Sequence, residues 1–143
     1  MSKRKIIIII VLIFLVIAGP SLVLSNLGLG IIQGFVDKNP KGSAAPWFQY
    51  NLGSIYYWTL RPEKAVDAFK TYNERYADRK DQRYWDAMYF RALSLDDAYK
   101  TRDAAELFMS YYFTCPRDDP NRPEVKKECI RLRHHIPMFT PDD

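Results

Sequence analysis

WFQYNLGSIYYWTLRPEKAVDAF, Trp47 to Phe69, carries the most regular spacing in the chain. Apolar positions Phe48, Leu52, Ile55, Tyr56 and Thr59 recur at threes and fours, the period of one buried helical stripe. The pattern then breaks at Leu60-Arg61-Pro62 and restarts with Ala65, Val66, Phe69, Tyr72 and Tyr76. Proline suits the first turn of a helix and Glu63 favours its positive end, so the stretch predicts two antiparallel helices joined by a short turn. Close crossing requires small side chains, which Gly53 and Ala65 supply, with Tyr56 and Phe69 filling the space beside them.

Moving upstream, residues 6–36 contain no Lys, Arg, Asp or Glu, and the basic cluster Lys3, Arg4, Lys5 precedes them. All 17 acidic residues lie at or beyond Asp37, so the remainder is nearly balanced, with 18 basic residues against 17 acidic. No basic stripe is present in that remainder, which argues against nucleic acid as a partner. The uncharged run exceeds the ~20 residues that span hydrocarbon and outlasts a signal-peptide core, so residues 1–36 read as a cytoplasmic basic end and a transmembrane anchor. By the positive-inside rule the rest of the chain is extracytoplasmic, periplasmic in a bacterium. As one straight helix the run would be about 46 Å long, more than the ~30 Å core, so it must tilt, kink at Pro20, or reach the headgroups near Asn26, Gly28 and Gly30. Cleavage after Val16-Ile17-Ala18 stays open as the alternative. Ser21 with Ser25, and Gly30 with Gly34, are four apart and read either as helix-packing pairs in the membrane or as ordinary juxtamembrane residues. Residues 37–45, rich in Pro, Gly and Ser, form a linker, and 46–143 form an α-helical domain.

Within that domain Leu52-Gly53, Tyr56, Ala65 and Phe69 resemble the tetratricopeptide repeat, a helix-turn-helix unit of about 34 residues. Gln49 stands where the repeat usually has Trp, the turn lacks glycine, and Ala77 replaces a common Pro. A weaker unit follows over Trp85 to Pro116, in which Ala92, Ala104 and Phe108 take the places of Gly53, Ala65 and Phe69. Arg122 to Ile136 reads as a capping helix with Val125, Cys129, Leu132 and Ile136 inward. The expected fold is therefore all-α: a transmembrane helix, then a short helical-hairpin domain with a C-terminal cap. The resemblance further implies a groove lined by the first helix of each pair, with Trp47, Tyr50, Ser54, Tyr57 and Trp58 from one and Asp86, Tyr89, Leu93 and Asp97 from the other. A competing role for Trp47 and Trp58 is packing on the linker or the lipid surface.

Cys115 and Cys129 are the only cysteines. In an oxidising compartment a disulfide between them would close a loop of about 15 residues and contribute roughly 3 kcal/mol, while two buried thiols, or a zinc site with His134 and His135, are the alternatives. No nucleophile motif, phosphate loop or zinc-protease helix occurs, and pairs such as Asp96-Asp97 and Asp118-Asp119 read as solvated charge. Neither an enzyme nor a cofactor or metal is expected. Two repeats are one short of the number that usually stands alone, so the chain reads as a non-catalytic scaffold or subunit that binds other, integral-membrane proteins. The alternative is a secreted peptide-binding adaptor released by signal cleavage.

Overall fold

The computed structural model describes residues 24–135, and these hold six α-helices and a short 3-10 turn with no strand among them. The chain divides into two compact units, one ending at Asn39 and one starting at Pro40.

The first unit contributes α1, Asn26–Lys38. This helix begins inside the uncharged run, at the place where Asn26, Gly28 and Gly30 offer a bend or an exit to the headgroups. Ser25 is extended, and its hydroxyl accepts from the Gly28 amide at 3.2 Å, so it caps the N-terminus of α1. Thirteen residues span only about 20 Å, and no helix among the described residues is long and apolar enough to cross a membrane. The residues before Leu24, including Ser21 and most of the expected span, lie outside the described residues. Ser25 caps α1, and its pairing with Ser21 lies outside the described residues. A side chain added at Gly30 or Gly34 would meet nothing within 4 Å, so both glycines face open space.

In the second unit α2 runs Ala45–Trp58, α3 Pro62–Arg75, α4 Gln82–Asp97, α5 Thr101–Thr114 and α6 Arg122–Arg131, followed by a 3-10 turn at Arg133–His135. The expected linker contracts to Asn39 through Ala44, because α1 continues through Lys38. Each helix packs on the next, and α2 also meets α4, so the first helices of the two hairpins lie side by side.

The crossing of α2 and α3 is set by Gly53. A Cβ there would come within 2.7 Å of the Phe69 ring, so only hydrogen fits. Phe69 is fully buried, flanked by Tyr50 at 5.9 Å and stacked on Phe90 at 6.0 Å between ring centroids, and has little room to retreat. Leu52, Tyr56, Ala65, Ala92, Ala104 and Phe108 are all buried, as their spacing predicts. The buried stripe of α2 differs in register from the one read along the sequence. Ala45, Gln49, Leu52, Gly53 and Tyr56 face inward, whereas Phe48, Ile55 and Thr59 are only partly covered. Gln49 is admitted because its amide donates to the Ala68 carbonyl at 3.0 Å, satisfying a buried polar group across the helix pair.

The same positions recur 39 residues apart: Gly53 and Ala92, Ala65 and Ala104, Phe69 and Phe108, Tyr72 and Tyr111. The two turns match as well. Leu60 and Tyr99 adopt positive φ, 56° and 59°, and each turn closes with the same pair of backbone bonds, Leu60 to Tyr57 and Arg61 to Tyr56 in one, Tyr99 to Asp96 and Lys100 to Leu95 in the other. These are left-handed helix ends, normally the place of glycine.

The cap α6 buries Val125 and Cys129, and Leu132 follows them inward; Ile136 lies outside the described residues. The disulfide considered for Cys115 and Cys129 is not formed. Both thiols are free and buried. Cys115 ends α5 under Arg122, whose guanidinium lies 3.4 Å from Sγ and 4.3 Å from the Tyr112 ring centroid, while Cys129 sits in the apolar core.

Candidate functional site

The face shared by α2 and α4 collects most of the groove residues read from the sequence. Tyr50 lies edge-on to Phe69 and Tyr72, with Arg83 over its ring at 5.8 Å. Burial raises its phenol pKa and the Asp86 charge adds to that, against the Ser54 hydrogen bond and Arg83. The Ser54 hydroxyl also donates to the Tyr50 carbonyl at 3.1 Å, tying that part of α2 to itself. Asp86 accepts from Gln82 at 2.9 Å and from Asn121 at 2.7 Å, so its carboxylate links α4 to the segment that starts the cap.

Further along the face, Tyr57 packs between Trp58 and Phe90, each with ring centroids 5.2 Å away. Its phenol is raised by burial and by the nearby charge of Asp97. Tyr57, Leu60, Pro62 and Asp97 line a recess of about 300 Å³, where the first turn meets the end of α4. Tyr89 contacts Phe90, Phe108 and Tyr111, and its phenol is raised by burial first, then by Glu128, Glu124 and Tyr57. Leu93 is packed against the core of the second hairpin.

The structure therefore brings together Tyr50, Ser54 and Asp86 at one end and Tyr57, Tyr89 and Asp97 at the other. Trp47 and Trp58 stand at the margins of the face: Trp47, half exposed, touches Phe48 in the first turn of α2, and Trp58, 74% exposed at its end, touches Tyr57. Five residues on this face were not singled out from the sequence: Arg83, Phe90, Asn121, Glu124 and Glu128. Phe90 bridges the hairpins, touching Tyr57 on α2 and Phe69 on α3. The spacing along its own helix gave no signal for it, because its place is set by partners on the other hairpin.

Chemically the face offers half-covered aromatic rings and phenols held neutral, with Asp86 and Asp97 beside them, while Glu124 and Glu128 are each paired at 2.6 Å, with Lys127 and Arg131 respectively. No group of three His, Cys, Asp or Glu that could hold a metal ion occurs among the described residues. A separate cleft of about 690 Å³ lies between Pro40 to Ser43, Pro46 and the end of α3, where Lys41, Arg75, Arg79 and Asp78 line it and the Tyr76 hydroxyl donates to the Pro40 carbonyl at 2.9 Å.

One assignment from the sequence changes character. Asp119 is not a solvated loop residue; it is buried, accepting from the Tyr111 hydroxyl at 2.6 Å and the Asn121 amide at 2.9 Å. With Arg122 donating to the Tyr112 carbonyl at 2.8 Å, this network fixes the loop that carries Asn121 to Asp86.

No protein-family model, no characterised protein and no solved structure matches this chain.

Proposed function

We propose that the protein is a membrane-anchored, non-catalytic scaffold with a tetratricopeptide-like domain outside the cytoplasm, whose α2–α4 face receives a segment of another subunit. The observation that carries this reading is the half-covered aromatic row Tyr50, Tyr57 and Tyr89 around Phe90, edged by Asp86 and Asp97. Such rings give large contact area for little entropy lost on binding, and Asp97 beside the recess favours a basic group on the partner segment. The anchor reading rests on the uncharged residues 6–36 behind a basic cluster.

The test is purification of the full-length chain in mild detergent, with the associated proteins identified. A companion that is retained by wild type and lost from Tyr57→Ala and Trp58→Ala, while Arg102→Ala keeps it, is the expected result. Arg102 is an exposed α5 residue paired with Glu106 and stands as the surface control. A chain that leaves the membrane alone, and whose domain is a stable monomer, would sink the proposal. Mass spectrometry of the mature chain separates the anchored form from a secreted adaptor, since an intact segment from Met1 to Val36 excludes cleavage.

A further inference from the structure

One face of α1 is apolar along its whole length. Leu27 is 72% exposed, Ile31 67% and Phe35 60%, and they stand four residues apart on one side of the helix. Leu29 and Val36 lie on the opposite side and are fully buried, so the exposed stripe is not the residue of a poorly packed helix. It is a second apolar face. Asn26, Gln33 and Asp37 occupy the flank away from the stripe, where the Gln33 amide donates to the Asp37 carboxylate at 2.9 Å, and Lys38 ends the helix close to the stripe's own line.

We propose that α1 lies along the membrane surface with Leu27, Ile31 and Phe35 in the lipid, as an interfacial helix distinct from the segment that spans. This deepens the anchor reading and rests on it. Three observations choose lipid as the occupant. The stripe begins immediately after residues 6–23, an uninterrupted stretch without a charged side chain, so the chain reaches α1 directly from its most lipid-compatible sequence. Ser25 is extended and caps the start of α1, and an extended residue there allows a change of direction between a spanning segment and a helix lying flat. The first charged side chains after the run, Asp37 and Lys38, come only in the last turn, where a lysine stem can follow the apolar face and leave its ammonium among headgroups.

The experiment places single reporter cysteines on the full-length chain, reconstituted in vesicles of phosphatidylcholine and phosphatidylglycerol. Native Cys115 and Cys129 are buried, so a polarity-sensitive thiol dye reaches only the introduced residue, with unlabelled wild type as the check. The dye at Ile31→Cys is expected to be quenched about twofold by lipids brominated on their acyl chains and spared by aqueous iodide, and the dye at Asp37→Cys to show the reverse. Leu27→Cys repeats the lipid-side measurement if Ile31→Cys disturbs the helix. Equal iodide quenching at both sites overturns the proposal. So does a lipid-side dye shielded from bromine and iodide alike, which marks a protein partner or a second copy on the stripe. Alkaline extraction of wild type reads the anchor separately: a retained chain with an aqueous Ile31 dye removes the interfacial helix alone, and a released chain with a bromine-quenched dye removes the span alone.

Discussion

The two hairpins of the second unit use the same positions 39 residues apart and solve the same packing problem differently. In the first, Gly53 lets α2 approach until the Phe69 ring fills the space a Cβ would need. In the second, Ala92 stands at the crossing with Phe108 buried beside it, so this pair tolerates a methyl group. Polar groups divide the other way. The first hairpin leaves the Tyr72 hydroxyl buried with no hydrogen-bond partner among the described residues, whereas its counterpart Tyr111 holds Asp119 at 2.6 Å. The first hairpin is thus specified by shape and the second by a hydrogen-bonded loop. That contrast tells where each should fail.

The largest failure is expected at the shape-specified crossing. Gly53→Leu forces α2 away from a ring enclosed by Tyr50 and Phe90, and should cost about 3 kcal/mol, visible as a lower melting temperature and a weakened helical signal. Ala92→Gly removes a methyl and adds backbone freedom, costing only about 1 kcal/mol. A Gly53→Leu protein that melts like wild type would end the claim that this contact sets the hairpin.

Next in size come the paired tyrosines. Tyr111→Phe deletes a bond to a buried carboxylate and should cost about 2 kcal/mol, while Tyr72→Phe removes an unpaired hydroxyl and should leave stability unchanged or slightly raised. The pH response sharpens this. Burial, with Asp81 adding, pushes the Tyr72 phenol up to about 12, so the folded state keeps it neutral after the unfolded chain has begun to ionise near 10. Its contribution is complete below about pH 10 and is lost as pH rises toward 12, because ionisation draws the unfolded state. Buried Cys129, also raised to about 12, acts in the same direction from a lower start. Alkaline melts should therefore fall less steeply for Tyr72→Phe than for wild type.

These residues also mark what was legible in the sequence. Gly53, Ala65 and Phe69 were readable because a crossing needs small and large side chains at fixed helical offsets, and the offsets are local. Ala104 and Phe108 followed by repetition. Gln49, Asp119 and Phe90 were not readable. Each owes its place to a partner on another element, Ala68 for Gln49, Tyr111 for Asp119, Tyr57 and Phe69 for Phe90, and nothing in the spacing along one helix announces such a partner. The change near Asn26 was legible from its polar and glycine residues, but the capping role of Ser25 was not, because it acts through one hydrogen bond. Of the proposed groove, Tyr50, Tyr57, Tyr89, Asp86 and Asp97 came from the spacing of the repeat, and Asn121, which holds Asp86, did not, because the loop that positions it is held by Asp119.

The smallest expected effect lies in the turns and is a gain. Leu60 and Tyr99 hold left-handed backbone, which disfavours any side chain with a Cβ, and both side chains stand almost wholly in solvent, 87% and 94% exposed. Replacing either with glycine should raise stability by about 1 kcal/mol, read as a higher melting temperature. The two turns part company at the partner face. Leu60 walls the recess shared by Tyr57, Pro62 and Asp97, and Tyr99 does not. Leu60→Gly should therefore stabilise the domain and weaken retention of the companion protein, while Tyr99→Gly stabilises and leaves retention intact. If both variants keep the companion equally, the recess is not part of the contact and the binding face ends at Tyr57; if neither gains stability, the strain is relieved by surroundings that the left-handed turns share.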